Sequence, residues 1–328
     1  MTTTEYTFRI QRNHRGEDGH VESRWQDFRV ALRPNATVLS GLEEIKGQQD
    51  GSLTYRMSCR SYICGSCAMR INGRTRLACK THVGQVADAQ GVVEISPMRN
   101  HAVLKDLAVD IGSFFQLVRQ VDPFLQEGEE SVTAVDARSY DQVNNVSQCI
   151  LCGCCHSDCT MAEVSPRFLG PAALAKAFRF VSDPREGQKS RRLEQLSGAD
   201  GMWSCSRCTL CVEVCPKDVA PMEAIVKLRT RGVARGLVEG HGARHALAFH
   251  TDLQEHGDLN EFTLMQRTLG IVGTLSELGA ALHLARKHKI PSPFPHDVQG
   301  VEEVRRIFQI LQEQPLDVET KAEIAEPE

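Results

Sequence analysis

The chain has 328 residues, a length suited to two or three domains, and its 41% hydrophobic and 24% charged residues are an ordinary balance for a folded protein. A net charge of −4 without any long basic run excludes the electrostatic footprint of a nucleic-acid-binding protein. The thirteen cysteines are odd in number and tightly clustered, which excludes an ordinary disulfide framework and reads as metal ligation in a reducing compartment.

The opening Met1-Thr2-Thr3-Thr4-Glu5 has neither the basic nor the apolar segment of a secretion signal, so a cytoplasmic location is expected. Residues 5–12 alternate, with Tyr6, Phe8 and Ile10 on one face. Residues 25–32 alternate with Trp25, Phe28, Val30 and Leu32, one step being out of phase. Thr37 to Gln48 has a helical stripe of Leu39, Leu42 and Ile45, and Val92 to Ile95 reads as a further strand. Together these predict a small β-grasp sheet over residues 1–105. Inside it lie Cys59, Cys64, Cys67 and Cys79. Cys-x4-Cys-x2-Cys with a distant fourth is the plant-type [2Fe–2S] spacing. Gly65 lets backbone amides come close to such a cluster. A hairpin tipped by Asn72-Gly73, a type I′ signal, returns Cys79 to the other three. A four-thiolate zinc site is the alternative, and the uneven x4, x2 spacing argues against it.

Residues 102–120 read as one amphipathic helix with Leu104, Leu107, Ile111, Phe114, Phe115 and Val118 on a face, ended by Asp122-Pro123. The period beyond is helical almost throughout, and residues 106–240 are expected to form an all-α domain. It carries two runs of Cys-x2-Cys-x2-Cys-x3-Cys: Cys149, Cys152, Cys155 and Cys159, then Cys205, Cys208, Cys211 and Cys215, the last followed by Pro216. In the bacterial ferredoxin run three such cysteines hold one cubane and the fourth ligates the other cluster. Zinc ribbons also use Cys-x2-Cys pairs but have no use for a third cysteine at the same interval. Pro171 and Pro221 sit where helices open, and Ser182-Asp183-Pro184 where one stops. Residues 241–314 form a cysteine-free helical extension. It contains the longest apolar run, Leu269 to Ala285, which Glu277 and His283 interrupt before the ~20 clean residues of a membrane span are reached. Leu275, Leu278, Leu282 and Ala285 make a stripe, with Lys287, His288 and Lys289 where a helix C-terminus favours cations. Ile290 to Pro295 is expected to be extended, Val301, Val304, Ile307, Phe308 and Leu311 mark a last amphipathic helix, and residues 315–328 read as a disordered acidic tail. The fold class is α+β.

A plant-type [2Fe–2S] domain followed by a helical domain with two ferredoxin runs resembles the iron–sulfur subunit of succinate dehydrogenase and fumarate reductase. The matching stretches are Ser58-Cys59-Arg60, Ile63-Cys64-Gly65-Ser66-Cys67, Leu77-Ala78-Cys79, Cys149-Ile150-Leu151-Cys152-Gly153-Cys154-Cys155, Phe168-Leu169-Gly170-Pro171-Ala172 and Val212-Glu213-Val214-Cys215-Pro216-Lys217, within roughly residues 1–235. The resemblance implies that Cys59, Cys64, Cys67 and Cys79 hold [2Fe–2S], that Cys149, Cys152, Cys155 and Cys215 hold [4Fe–4S], and that Cys159, Cys205 and Cys211 hold a third cluster. Cys154 is then left over as a small buried hydrophobe. Three features depart from the usual family pattern. Cys208 stands where most members have no cysteine, so the third cluster is expected to be [4Fe–4S] in place of [3Fe–4S]. Thr160-Met161-Ala162-Glu163 replaces residues that line a quinone pocket. The extension 241–314 resembles the C-terminal helices of heterodisulfide-reductase C-type subunits. All three point to the non-classical, methylmenaquinol-type branch, in which a CCG-domain subunit replaces the membrane anchor.

The chain has no flavin fingerprint and no catalytic constellation, so dicarboxylate chemistry must be borrowed from an FAD-containing flavoprotein partner. The expected role is transfer of single electrons between that flavin and a quinone-reactive CCG-domain or membrane-anchor subunit, with the chain peripheral on the inner face of the cytoplasmic membrane. The alternatives are a component of a heterodisulfide or thiol-linked reductase, and a redox sensor or zinc scaffold. His241 and His245, at i and i+4, with His250 beyond, read as surface or capping residues. His156, beside Cys155, reads as tuning the cluster environment or facing a partner.

Overall fold

The computed structural model describes residues 3–313 apart from 17, 18, 34, 133, 136, 290, 291, 293, 295 and 296. The expected tail 315–328 and most of the segment Ile290 to Pro295 lie outside the described residues. The chain forms two compact units, one of residues 1–196 and 200–228, the other of residues 197–199 and 229–328.

The first unit begins with strands β1 (Thr4–Arg15) and β2 (Val21–Leu32), the helix Val38–Gln48, and strands β3 (Ala68–Ile71), β4 (Arg74–Leu77), β5 (Val92–Ser96), β6 (Ala102–Lys105) and β7 (Ala108–Asp110). The sheet order is β4-β3-β5-β1-β6-β7, with β2 also paired to β1. β1 runs antiparallel to β2 along its whole length and parallel to β5 over Thr7–Ile10. The period-2 alternation sends Phe8 and Ile10 into the core with Phe28, Val30 and Leu32. Trp25 falls on the opposite face and is 48% exposed, which is the out-of-phase step of the sequence pattern. The helix starts where Thr37 accepts a hydrogen bond from the Ser40 amide, and it buries Leu39, Leu42 and Ile45 as expected. Gly41 faces the Phe8 ring with no room for a Cβ, so the helix lies directly on the sheet.

Residues 102–120 are not one helix. They form the β6–β7 hairpin and a shorter helix, Gly112–Arg119. Asp106 turns the hairpin in a left-handed conformation (φ 46°), and its carboxylate accepts hydrogen bonds from the Arg12 guanidinium and the Thr54 amide. This buried ion pair ties the hairpin to β1, and Leu104, expected on the apolar face, is 44% exposed. Only Phe114, Leu117 and Val118 of the shorter helix are buried.

The rest of the unit is helical. The central helix, Gly170–Val181, opens with Pro171 in its first turn and is buried at ten of its twelve positions, small Ala172, Ala173, Ala175 and Ala177 allowing close approach on several sides. Arg192, 4% exposed, pairs with the fully buried Glu186 and donates to the carbonyls of Val121, Asp122 and Phe124. The two terminal nitrogens carry all these bonds, while Nε is buried with no partner among the described residues, and the paired guanidinium clamps the chain where it leaves the Gly112–Arg119 helix.

The second unit holds the end of the helix Pro221–Ala234 and the helices His241–His256, Glu261–Ser276, Leu278–Arg286 and Val301–Glu313. Asn260 caps the second of these by accepting from the amides of Phe262 and Thr263. The buried Asp252 accepts from the Thr263 hydroxyl and the Arg267 guanidinium, joining the first two helices. In the last helix Val301 is buried and Phe308 packs edge-on against His250, while Ile307 and Leu311 are exposed. Among the described residues no single helix is long and apolar enough to cross a membrane. Glu261–Ser276 with Gly279–Arg286, bent by 92°, passes that test only as a pair.

Candidate functional site: three groups of thiols

The structure brings the predicted cysteines together in three groups. Cys59 lies against Cys64, and Cys67 against Cys64 and Cys79. Cys155 faces Cys149, Cys152 and Cys215, so the last cysteine of the second run joins the first run. Cys211 faces Cys159, Cys205 and Cys208, so the last cysteine of the first run joins the second. Cys211 also neighbours Cys155, which links the second and third groups. Cys208 is exposed, with the Thr160 hydroxyl 4.0 Å from its Sγ.

The backbone aims amides at these sulfurs. In the first loop the N–H groups of Ser61, Ile63 and Cys64 point at Cys59 Sγ from 3.3–3.4 Å. Arg207 N–H does the same for Cys205 at 3.4 Å and Val219 N–H for Cys215 at 3.3 Å. Left-handed residues between the cysteines make this possible: Arg60, Tyr62 and Gly65 in the first loop, Leu151 and Gly153 in the second, Arg207 and Thr209 in the third. Alternating left- and right-handed residues turn successive N–H groups inward as an anion-holding nest. Most of these residues are not glycine, so no sequence signal announces the strain they carry.

The amides of Ser61, Ile63 and Cys64 lower the Cys59 thiol to about 6. Burial acts the other way on Cys67 and Cys211, pushing each up to about 12, and it also raises Cys149, Cys155, Cys159 and Cys215. Such thiols become ligands only when a metal displaces their protons. Among the described residues no three His, Cys, Asp or Glu side chains close on a single ion. The thiols instead border a common space: Cys149, Cys152, Cys155 and Cys215, with Ala172 and Ala175, line one small apolar pocket. Soft sulfur donors around an apolar volume with inward-pointing amides fit iron–sulfur clusters, which when bound supply one-electron storage.

Two residues near the thiols differ in kind from the ligand candidates. Cys154 is fully buried in the apolar core of the sheet and hydrogen-bonds to Cys152, which raises Cys154 and lowers Cys152. His156 does not face outward. It is buried beside His101 and Phe114, with ring centroids 5.3 and 5.7 Å away, and burial followed by the His101 charge lowers it to about 4. His241, His245 and His250 are exposed.

Polar contacts fasten the sheet to the helical part around the thiols. Asp158, next to Cys159, accepts from Arg70 Nη1 at 3.0 Å, the Thr75 amide at 3.0 Å and the Thr75 hydroxyl at 2.7 Å. Asn100 donates to the carbonyls of His156 and Cys159, and Arg74–Glu213 and Arg99–Glu163 pair at the surface. Tyr62 in the first loop has Lys80 Nζ 3.9 Å and Lys217 Nζ 4.1 Å from its ring centroid. None of these pairings is signalled by local sequence.

Residues 7–116 match the family described as a 2Fe-2S iron-sulfur cluster binding domain, and residues 145–219 match the 4Fe-4S dicluster domain. The 8-methylmenaquinol:fumarate reductase iron-sulfur subunit of Wolinella succinogenes is 34% identical over 285 residues, covering 83% of this chain and 88% of that protein. The fumarate reductase iron-sulfur subunit of Mycobacterium tuberculosis is 38% identical over 221 residues, covering 65% of this chain and 87% of that protein. Among solved structures, a chain of the Mycobacterium smegmatis Sdh1 complex shares the fold with a TM-score of 0.62 at 22% identity, covering 71% of this chain and 98% of its own. Fold and thiol groups define an iron–sulfur electron-transfer protein with a [2Fe–2S] domain and a [4Fe–4S] dicluster domain. The chain belongs to the family of iron–sulfur subunits of fumarate reductase and succinate dehydrogenase, components of oxidoreductase complexes. That membership favours this role over the thiol-linked reductase alternative.

Proposed function

We propose that the chain relays electrons one at a time between the FAD of a flavoprotein subunit and a quinone-reactive subunit of a succinate:quinone oxidoreductase. Cys59, Cys64, Cys67 and Cys79 hold [2Fe–2S]. Cys149, Cys152, Cys155 and Cys215 hold [4Fe–4S]. Cys159, Cys205, Cys208 and Cys211 hold a third cluster, [4Fe–4S] in place of [3Fe–4S] because Cys208 supplies a fourth thiolate. The chain is organised as a β-grasp ferredoxin domain, its expected limit of residue 105 moved to the end of β7 because β7 pairs with β6, a helical two-cluster ferredoxin domain reaching residue 240, and a partner-docking extension over residues 241–314. The observation that carries this reading is the exchange of Cys215 and Cys159 between the two runs, the cross-ligation expected of a two-cluster ferredoxin.

The Wolinella relative is named for 8-methylmenaquinol, and an alignment covering 83% of the chain must reach into the extension. This supports a menaquinol-type partner on the quinone side, reached through a CCG-domain or membrane-anchor subunit on the inner face of the cytoplasmic membrane. The test is anaerobic purification of the full chain from its host with its natural partners, followed by iron and sulfide analysis and identification of the co-purifying subunits. A flavoprotein together with a quinone-side subunit is expected. Zinc in place of iron, or no flavoprotein, would overturn the reading.

A further inference from the structure

Gly65 stands between Cys64 and Cys67 in a left-handed conformation, φ 73°. A side chain there would meet more than backbone strain. A Cβ on Gly65 would lie 2.7 Å from Cys152 Cβ and 2.8 Å from Cys152 Cα, against an ordinary carbon–carbon contact of about 3.5–4.0 Å. The loop of the first thiol group therefore rests directly on a cysteine of the second group, main chain against main chain. Other contacts hold the same two parts together: Arg70 and Thr75 bond Asp158, and the Tyr62 ring has Lys80, next to Cys79, and Lys217, two residues after Cys215, against it.

We infer that Gly65 is the positioning residue that sets the separation of the [2Fe–2S] site from the neighbouring [4Fe–4S] site. The inference rests on the ligand assignments proposed above. The atoms facing Gly65 are the Cα and Cβ of Cys152, which no rotamer change can move aside, so any side chain at position 65 must drive the loops apart. Restoring normal contact requires an opening on the order of 1 Å. The electron exchange between the two sites takes one electron from the reduced site to the oxidised one and makes or breaks no bond. It falls steeply with distance, and so does the magnetic interaction between the sites.

The test compares Gly65→Ala with Gly73→Ala in the full chain, loaded anaerobically with iron and sulfide. Gly73 is also left-handed (φ 77°), but a Cβ there has its nearest neighbour, an Arg70 side-chain nitrogen, 4.0 Å away, so this variant carries the strain without the collision. Gly65 also shapes the loop proposed to hold the first cluster, so Gly65→Ala is read in protein shown by iron content and the individual EPR signals to carry both clusters. Its [2Fe–2S] signal should lose much of the relaxation enhancement caused by the reduced neighbour, and electron equilibration after pulse reduction should slow severalfold. Gly73→Ala should match the wild type. Unchanged relaxation and rate in Gly65→Ala would overturn the inference. If Gly65→Ala assembles no first cluster, the wild type decides: a [2Fe–2S] signal indifferent to its neighbour's oxidation state overturns the inference, and a responsive one supports it. A wild-type chain that binds no iron clusters would instead sink the ligand assignments.

Discussion

Asp158 is the point at which the joint between the sheet and the helical part can be broken with a single substitution. Its side chain is 8% exposed, and it accepts from Arg70 and twice from Thr75, whose side chain is itself buried. In Asp158→Ala the Thr75 amide loses its acceptor and the Arg70 guanidinium its counter-charge. The Thr75 hydroxyl keeps Ser157, at 2.7 Å, and Arg70 keeps the Gly73 carbonyl. Removing one side of a buried ion pair costs about 3–5 kcal/mol. Because these secondary partners survive, the lower end, about 3 kcal/mol, is the expected loss. Asp158→Asn retains an acceptor for Thr75 and should lose about 1–2 kcal/mol. With a urea dependence of about 3 kcal/mol per M, the alanine variant should unfold at roughly 1 M less urea than the wild type. The assay is anaerobic urea unfolding of the cluster-loaded chain, followed by far-UV circular dichroism and by visible cluster absorbance. A destabilisation below about 1 kcal/mol in the alanine variant would refute the claim that this carboxylate holds the two parts together.

Four further outcomes are expected. EPR of the oxidised protein kept from oxygen should show no strong three-iron signal in the wild type and a clear one in Cys208→Ser; a strong signal in the intact wild type would end the assignment of Cys208. Cys154→Ala should leave the iron content unchanged, since Cys154 packs in the core, and loss of a whole cluster would show that it is a ligand. Residues 1–111 expressed alone should bind two irons with a plant-type spectrum, whereas a fragment ending at 105 lacks Asp106, the buried partner of Arg12, and should be markedly less stable; a colourless, zinc-loaded 1–111 fragment would count against the [2Fe–2S] assignment. The buried Asp183 would be raised by burial, but hydrogen bonds from Arg185 and the charge of Arg179 outweigh this and lower it to about 2. Its folded value lies below its unfolded value, so it contributes about 2 kcal/mol above the unfolded value, a contribution lost as pH falls from about 4 towards 2. Asp183→Asn should flatten that part of the stability–pH curve, and curves that run parallel to the wild type below about pH 5 would contradict the assignment.

The strands around Phe8 and Phe28, the helix that follows Thr37, the Asn72-Gly73 turn and the helix opened by Pro171 were all legible, because each obeys a rule written within a few residues. The cysteine spacing was legible for the same reason: three thiols at two-residue intervals can reach one cluster from one short stretch. The β6–β7 hairpin was not. Leu104, Leu107, Ile111 and Phe114 satisfy a helical period, and what favours the hairpin is Asp106 meeting Arg12 across 94 residues of chain. Nor could local pattern show that Tyr62 and Leu151 take left-handed conformations, that His156 is buried against His101, or that Gly65 lies on Cys152. Chemistry carried by short-range spacing is determined by the sequence as it stands. Separations between thiol groups, and the burial that shifts their protonation, arise only when segments far apart in the chain exclude water from one another, and that was decided by the tertiary structure.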